Sequence, residues 1–315
     1  MNRSAATGSS LVVVLALIGS ACTGGASPSP APATVSPTGA ATVAASPTTA
    51  PVLPTSLIKA GTVVDCVDIE YPPMEMFPSA DVTDPAQAVG FDVDSAKAVV
   101  KLWGLQIQVR NTTFQTLIPD LQANRCDIVW TALFVNAKRL AVAEAVPYLT
   151  TGHEVLVPTG NPENIKTLDD LCGKKVSIQS GGLVEDQINQ QSTACTTGGK
   201  PAIAIQAYAT VAEEMQQIVQ GRVDAVWETD TQVGDFIGKN PGKYDVAFVV
   251  SRDDAYGVYF QKNHSDIADA LVAAFKAIKG DGSWAAIATQ YGQDPTLLAP
   301  ACPHDTASMG CHPAQ

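Results

Sequence analysis

The chain has 315 residues, enough for two ordinary domains and too many for a small scaffold held together by disulfides. Hydrophobic residues make up 46% of it and charged residues 16%, so it can bury a core. Its 19 basic and 31 acidic residues give a net charge of −12, which excludes the basic excess that a nucleic-acid-binding protein needs. The odd count of seven cysteines predicts that one of them has a separate role in an exported chain.

The N-terminus has the pattern of an export signal over residues 1–21. Arg3 supplies a positive end, Leu11–Ile18 is an unbroken apolar run, and small residues precede Cys22. The run is too short to cross a bilayer, which needs about 20 residues. The small residues before Cys22 resemble the lipobox of bacterial lipoproteins, which implies that Cys22 is lipidated. An ordinary secretory signal is the alternative, since Gly19 stands where the lipobox prefers Leu.

The composition of residues 22–57 predicts a disordered tether that is lipidated at its start. No charged residue occurs between positions 23 and 57, and seven prolines interrupt any helix or strand ladder there. Such a segment would let a folded module move away from a membrane surface and return.

From Lys59 onward, short β-branched runs alternate with helical patterns, which is typical of a parallel sheet covered by helices. Strands are predicted at 62–67, 105–109, 175–179, 202–208, 247–250 and 258–261. Helices are predicted at 94–103, 116–123, 184–191, 211–220 and, with Ser265 as its N-cap, up to Gly280.

An internal repeat joins two parts of the module. Residues 121–130 (LQANRCDIVW) align without gaps with residues 218–227 (IVQGRVDAVW). Both segments finish a helix, turn, and begin a strand with Asp, which predicts two lobes of similar topology. Ligands of open α/β sheets bind beyond the carboxyl ends of the strands, so we expect the site just after Trp130 and Trp227.

Several motifs resemble those of bacterial solute-binding proteins of the polar amino-acid class, the extracytoplasmic receptors of ABC importers. They are DIEYPPME at 68–75, GFDVD at 90–94, FQTLIPDL at 114–121, CD at 126–127, KR at 138–139, PY at 147–148, DLCGKKV at 170–176, GRVD at 221–224 and GDGSW at 280–284. The resemblance implies an α/β, two-lobed, type II periplasmic-binding-protein fold, in which each lobe is a mainly parallel sheet flanked by helices. Two crossover strands would join lobe 1 (58–151 plus 252–300) to lobe 2 (152–251), with hinges near Thr151 and Ser251, and residues 301–315 would form a tail.

The resemblance also implies a ligand site for an amino acid or a related small carboxylate. Arg139 matches the arginine that forks onto the ligand carboxylate, while Tyr71 and Phe114 match side chains that flank the ligand. Asp68 matches a carboxylate that faces cationic or amide side chains, and Thr131 lies where a polar contact is common. The full set of expected ligand-binding residues is Asp68, Tyr71, Phe114, Thr131, Ala132, Phe134, Arg139, Gly182 and Thr229.

The chain departs from the family pattern at several of these positions. Thr229 replaces the Asp that holds the α-ammonium group, Phe134 replaces a Ser or Thr, and Gly182-Leu183 lacks the usual hydroxyls. Glu228 and Asp230 flank Thr229, and the alternation of an extended chain predicts that they point to the opposite face. The departures imply either a carboxylate ligand without the usual ammonium contact or an amino acid in a shifted pose.

Six cysteines remain if Cys22 carries lipid, and six allow 15 pairings. Sequence proximity favours Cys172 with Cys195 and Cys302 with Cys311. Related proteins that contain both residues support pairing Cys66 with Cys126, on strands expected to be neighbours. A metal cluster of His304 and His312 with the tail cysteines is the less favoured alternative, and we expect no metal or cofactor.

The expected role is therefore a substrate-binding lipoprotein that closes its lobes on a ligand and delivers it to the transmembrane subunits of an ABC permease. We expect a monomer, lipid-anchored through Cys22 to the outer face of the bacterial cell membrane. The sequence contains no GxSxG, HExxH or P-loop motif, and no catalytic residue is assigned. An enzyme on the same fold, resembling cyclohexadienyl or arogenate dehydratase, remains the alternative.

Overall fold

The computed structural model describes residues 50–303 and 306–314, so Cys22, the export signal and His304 lie outside the described residues. The strands are β1 Thr62–Val67, β2 Gln106–Asn111, β3 Ile128–Val129, β4 Ala143–Pro158, β5 Lys175–Gln179, β6 Ala204–Tyr208, β7 Ala225–Thr229 and β8 Tyr244–Gln261. The helices are α1 Phe91–Leu102, α2 Leu117–Gln122, α3 Ala137–Leu140, α4 Leu183–Thr197, α5 Val211–Val219, α6 Asp230–Lys239, α7 Ser265–Gly280 and α8 Ser283–Gln290.

The strands form one sheet in the order β2-β1-β3-β8-β4-β7-β5-β6. At one end β1 pairs in parallel with β2 and β3, and at the other end β5 pairs in parallel with β6 and β7. Between these halves, β8 and β4 are antiparallel to each other and to their outer neighbours. The α/β two-lobed fold with two crossover strands is therefore confirmed, with β1–β3 in lobe 1 and β5–β7 in lobe 2.

The crossover strands are longer than the sequence pattern indicates. The prediction of two short strands at 247–250 and 258–261 was wrong, because β8 is one strand of 18 residues. Exposed polar residues at 252–253 interrupt the apolar pattern without interrupting the strand. The β4–β8 register shifts between Thr151 and His153, and Gly152 fits there because a Cβ atom would lie 1.9 Å from the Ser251 carbonyl oxygen. These irregularities coincide with the predicted hinges.

The internal repeat is confirmed, and its two aspartates have the same structural role. Asp127 accepts a hydrogen bond from the Val64 N–H of β1 (2.7 Å) and donates its own N–H to the Val64 carbonyl. Asp224 makes the same pair of contacts with Lys175 of β5, with 2.8 Å from the Lys175 N–H. In each lobe the aspartate thus joins the start of the third parallel strand to the first.

Helix bounds differ from prediction mainly at the ends. α1 begins at Phe91 instead of 94, because Gly90 at φ +135° lets the chain pass close to the Met74 carbonyl oxygen. The predicted helix at 116–123 is a 3₁₀ turn at Phe114–Thr116 followed by α2. α4 continues six residues beyond 191, and the N-cap position of α7 is occupied by His264.

Buried tryptophans pack in the interiors of both lobes. In lobe 1 the Trp130 ring lies 5.3 Å from Phe275 of α7, which lies 4.6 Å from Trp284 of α8. In lobe 2 the buried Trp227 donates its indole N–H to Nδ1 of His153 (2.7 Å). Both tryptophans lie just before the predicted site, so packing fixes the strand ends that carry it.

Three disulfides are present, Cys66–Cys126, Cys172–Cys195 and Cys302–Cys311. The tail lies against β4, where the His312 N–H donates to the Ala145 carbonyl (2.8 Å). The described residues contain no group of His, Cys, Asp and Glu suited to a metal ion.

The tether assigned to residues 22–57 ends earlier than predicted. The Thr55 and Ser56 N–H groups both donate to the carboxylate of Asp266 at the start of α7 (2.6 and 2.7 Å). A carboxylate in the first helical turn is a favourable acceptor, which explains why this apolar, uncharged segment is held there. Among residues 50–303 and 306–314, no helix has the length and apolar character needed to span a membrane.

Candidate functional site

A small cavity of about 30 Å³ lies between the lobes, at the carboxyl ends of β1, β3, β5 and β7. This is where the repeat and the parallel topology predict a ligand site. Its lining includes eight of the nine expected residues, all except Arg139. The lining residues are Asp68, Tyr71, Glu75, Phe114, Thr131, Ala132, Phe134, Gln179, Gly182, Leu183, Val184, Glu228 and Thr229.

Lobe 1 contributes a carboxylate directly after β1. Asp68 is buried, and its N–H donates to the hydroxyl of Thr131 (3.1 Å), which follows β3. Burial raises the pKa of Asp68 to about 7, and the Phe114 N–H partly offsets this by donating to the carboxylate. Asp68 is therefore ready to ionise when a positive group enters the cavity.

Glu75 is a second carboxyl group on the lobe 1 side, and it pairs with Asp92 of α1. Its Oε1 accepts the Thr131 hydroxyl (2.7 Å), while Asp92 accepts the Tyr148 hydroxyl (2.6 Å) and the Ala132 N–H (2.7 Å). Burial, and then the Asp92 charge, raise the pKa of Glu75 well above its ordinary value. Because Asp92 has the additional donors, we assign the proton of this pair to Glu75.

Lobe 2 contributes Glu228 and Thr229 at the end of β7. The Tyr71 hydroxyl of lobe 1 donates to Oε1 of Glu228 (2.8 Å) and lies 2.6 Å from Oγ1 of Thr229. Thr229 also N-caps α6, because its Oγ1 accepts the Gln232 N–H (3.1 Å). The Tyr71 proton goes to Glu228, so Thr229 is the donor to the Tyr71 oxygen.

The expectation that Glu228 points away from the site was wrong. Strict alternation of side chains holds only along a strand, and β7 ends at Thr229, where the chain turns into α6. Glu228 is buried, which raises the pKa of its carboxyl group, and the Thr229 N–H and Tyr71 hydroxyl partly offset the rise. It supplies the lobe 2 carboxylate that Thr229 lacks.

Direct contacts hold the lobes together beside the cavity. The Gln115 amide donates to the Ser180 hydroxyl (3.2 Å) and the Ala209 carbonyl (3.1 Å) across the cleft. Lys138 forms an ion pair with Asp186 of α4 (3.0 Å). The lobes are therefore closed on the cavity in this structure.

Arg139 lies outside the cavity, in a neighbouring cleft that it lines with Lys138 and Asp186. Its Nη1 donates to the Phe134 carbonyl (2.9 Å), and its guanidinium carbon lies 5.7 Å from the centre of the Phe114 ring. The Phe114 side chain lines both spaces. In this closed form Arg139 does not line the cavity. Its contact with a ligand carboxylate therefore stays a prediction.

Five lining residues are absent from the expected set, Glu75, Gln179, Leu183, Val184 and Glu228, although the family pattern marks Leu183 as a position that carries a hydroxyl in other members. Glu75 could have been found, because it ends the first family motif, and Gln179 could have been found as the last residue of a predicted strand. Leu183 and Val184 begin α4, and their approach to the cavity depends on lobe closure. No local pattern indicates the contact of Val184.

Comparisons with known proteins agree with this geometry. Residues 63–294 match the bacterial extracellular solute-binding proteins, family 3. The L-cystine-binding protein TcyJ of Escherichia coli (strain K12) is 25% identical over 238 residues, which cover 75% of this chain and 85% of that protein. The ABC transporter arginine-binding protein 1 of the same strain is 26% identical over 231 residues, covering 71% and 88%.

A solved structure of the ancestral amino acid-binding protein AncCDT-1, a precursor of cyclohexadienyl dehydratase, has a TM-score of 0.63 and 25% identity, and the match covers 73% of this chain and 95% of that one. The two curated relatives are binding proteins and not enzymes, which agrees with the prediction of ligand binding without catalysis. The match over residues 63–294 includes both lobes of the fold. The chain therefore belongs to the bacterial extracellular solute-binding proteins, family 3.

Proposed function

We propose that this protein is the receptor of an ABC importer that captures an amino acid, or a related small molecule, by lobe closure and delivers it to the permease. The observation that carries the proposal is the cavity between the lobes, because side chains of both lobes meet there through Tyr71, Glu228 and Thr229. A ligand in this space touches both lobes only when they are closed. It therefore favours the closed form by its difference in affinity for the two forms.

The crossover strands supply the place for the motion. The irregular β4–β8 register near Thr151 and Ser251 lies between the two parallel halves of the sheet. Few residues have to change backbone angles there for the lobes to rotate. We retain lobe bounds of 58–151 plus 252–300 and of 152–251 as part of the proposal.

The anchoring part of the proposal rests on the sequence alone. Residues 1–21 are removed on export, Cys22 carries the lipid, and the Pro-rich segment up to position 54 is the tether. The receptor then works as a monomer on the outer face of the cell membrane, and two acyl chains suffice for stable attachment. Mass spectrometry of the mature N-terminus tests this directly: a diacylated Cys22 supports it, and an unmodified N-terminus contradicts it.

Closure is tested by small-angle X-ray scattering of the purified full-length protein with each of the twenty amino acids. The variant Gln115→Ala removes the contacts of Gln115 across the cleft and should populate a more open form. We expect at least one of the twenty amino acids to reduce the radius of gyration of this variant. Asn189→Ala, a change on the outer part of α4 where the side chain contacts only its own helix, is the matched control. A receptor for amino acids or related molecules is contradicted if neither these compounds nor their amine derivatives change the scattering.

A further inference from the structure

Hydrogen-bond donors on the cavity side chains are already engaged within the protein. The Thr131 hydroxyl donates to Glu75 (2.7 Å) and the Tyr71 hydroxyl to Glu228 (2.8 Å). The Gln179 amide donates to the Ala209 carbonyl at 3.5 Å. Because the two hydroxyl donors are engaged and the Gln179 contact is long, the Gln179 amide is the main side-chain donor left in the lining for an anionic ligand.

Acceptors, in contrast, are in excess at the cavity. Asp68, Glu75 and Glu228 bring three carboxyl groups, and none of the lining residues is Lys, Arg or His. Glu75 shares its proton with Asp92, so the carboxyl groups of Asp68 and Glu228 are the lining acceptors left for a ligand. A further buried carboxyl group, Glu214 of α5, is close enough to Glu228 for the two charges to interact. A ligand that donates hydrogen bonds or carries positive charge would stabilise the ionised form of these buried carboxyl groups.

The positive side chains of the neighbouring cleft belong to other interactions. Arg139 donates to the Phe134 carbonyl on the far side of the Phe114 ring, and Lys138 pairs with Asp186. Backbone N–H groups at the start of α4 also approach the cavity, but Glu185 and Asp186 in the first turn offset the positive end of that helix.

The apolar part of the lining completes the description of the ligand. Phe114, Phe134, Ala132, Leu183 and Val184 surround the space beside the carboxyl groups. Such a surface favours a hydrocarbon or aromatic frame, and aromatic rings also attract a cation at their faces.

We propose that the cavity selects an organic cation, a protonated amine or guanidinium on an apolar frame, held between Asp68 and Glu228 without a contact to a ligand carboxylate. This inference rests on the proposed function and names its ligand class. The positive group pairs with one carboxylate from each lobe, so the same contact that gives selectivity also favours the closed form.

Matched pairs of compounds that differ only in a carboxylate test the inference: agmatine and arginine, cadaverine and lysine, phenethylamine and phenylalanine, and histamine and histidine. Isothermal titration calorimetry with the full-length protein should show that, in at least one pair, the amine binds about tenfold or more tightly than the amino acid. Asp68→Asn and Glu228→Gln should each weaken that amine about tenfold or more, since each removes one of the two facing charges.

Asp269→Asn, an exposed change on α7, is the matched control, because it alters the net charge equally and should not change the affinity. Amino acids that bind more tightly than their amines, with binding lost in Arg139→Ala, would overturn the cation proposal and leave the receptor function intact. No detectable binding of any of the eight compounds would also overturn the cation proposal. In that case, lobe closure by a neutral or acidic amino acid would still support the receptor function.

Discussion

The hydroxyl of Tyr71 donates a 2.8 Å hydrogen bond to the carboxylate of Glu228, and so joins the segment after β1 in one lobe to the end of β7 in the other. Both side chains are buried, at 6% and 4% exposure. A hydrogen bond to a charged group in such a place is stronger than one at the surface. The pair therefore contributes both to the lining of the cavity and to the stability of the closed form.

Replacing Tyr71 with Phe keeps the ring and removes this bond. Glu228 then loses a donor while it stays buried, which costs about 1–3 kcal/mol. We expect the ligand-free Tyr71→Phe protein to populate a more open form, seen as a larger radius of gyration in X-ray scattering. Tyr208→Phe is the control, because the Tyr208 hydroxyl bonds Gln206 within the same strand (3.0 Å). An equal change in both variants would show that the bond does not hold the lobes.

The stability of the ligand-free protein should depend on pH through its buried carboxyl groups. Burial raises the pKa values of Asp68 and Asp92 to about 7, above the ordinary value of 3.8. Between pH values of about 4 and about 7, the folded protein binds more protons than the unfolded chain. The free energy of unfolding therefore falls as the pH rises through this range. Asp266, whose pKa is lowered to about 2 by the N–H groups of Thr55 and Ser56, contributes in the opposite sense only below that range.

Urea denaturation at pH 4.5 and pH 7.5 measures this effect. Asp68→Asn should remove part of the difference, about 2–4 kcal/mol, because the amide does not titrate. Asp281→Asn on the surface is the matched control, since its pKa is lowered by the Ser283 hydroxyl and backbone N–H instead of raised. A free energy that rises steadily from pH 4.5 to 7.5 in the unmodified protein would contradict the assignment.

The sequence predicts the parts of this protein that rest on local pattern and repetition. β1, β5 and the turn from α5 to β7 lie where the periodicity and the repeat place them, and Tyr71, Phe114 and Thr131 lie at the cavity. The long β8 was missed because its polar centre at 252–253 is exposed and breaks the apolar pattern. Glu228 was assigned to the wrong face because the strand ends one residue later, and the separation of Arg139 from the cavity depends on how Phe114 packs, which no linear motif encodes.

Loss of a disulfide should destabilise the fold more when the disulfide closes a longer loop, although the effect grows only with the logarithm of the loop length. Cys66–Cys126 spans 60 residues and Cys302–Cys311 spans 9, so the chain-entropy contributions are about 4 and about 2.5 kcal/mol. We expect Cys66→Ser/Cys126→Ser to lower the midpoint of thermal unfolding more than Cys302→Ser/Cys311→Ser, as measured by calorimetry. The first disulfide also lies two residues before Asp68, so its loss should weaken ligand binding, whereas the tail disulfide should not affect it. The reverse order of stability would show that strain or residual structure outweighs loop length.

The two aspartates of the internal repeat should contribute differently to the free energy of unfolding, although they have the same structural role. Asp127 accepts the backbone N–H groups of Val64 and Ile58, both at 2.7 Å, and it is 4% exposed. Asp224 accepts only the Lys175 N–H (2.8 Å) in a more exposed setting. Asp127→Ala leaves two backbone donors without their acceptor and should lower the free energy of unfolding by about 2–4 kcal/mol, whereas Asp224→Ala should cost about 1 kcal/mol. Asp127→Asn, which keeps one acceptor oxygen, should fall between these values in urea denaturation. Equal losses for the two alanine variants would mean that the contact to Ile58 contributes nothing and that the strand-to-strand bond alone determines the effect.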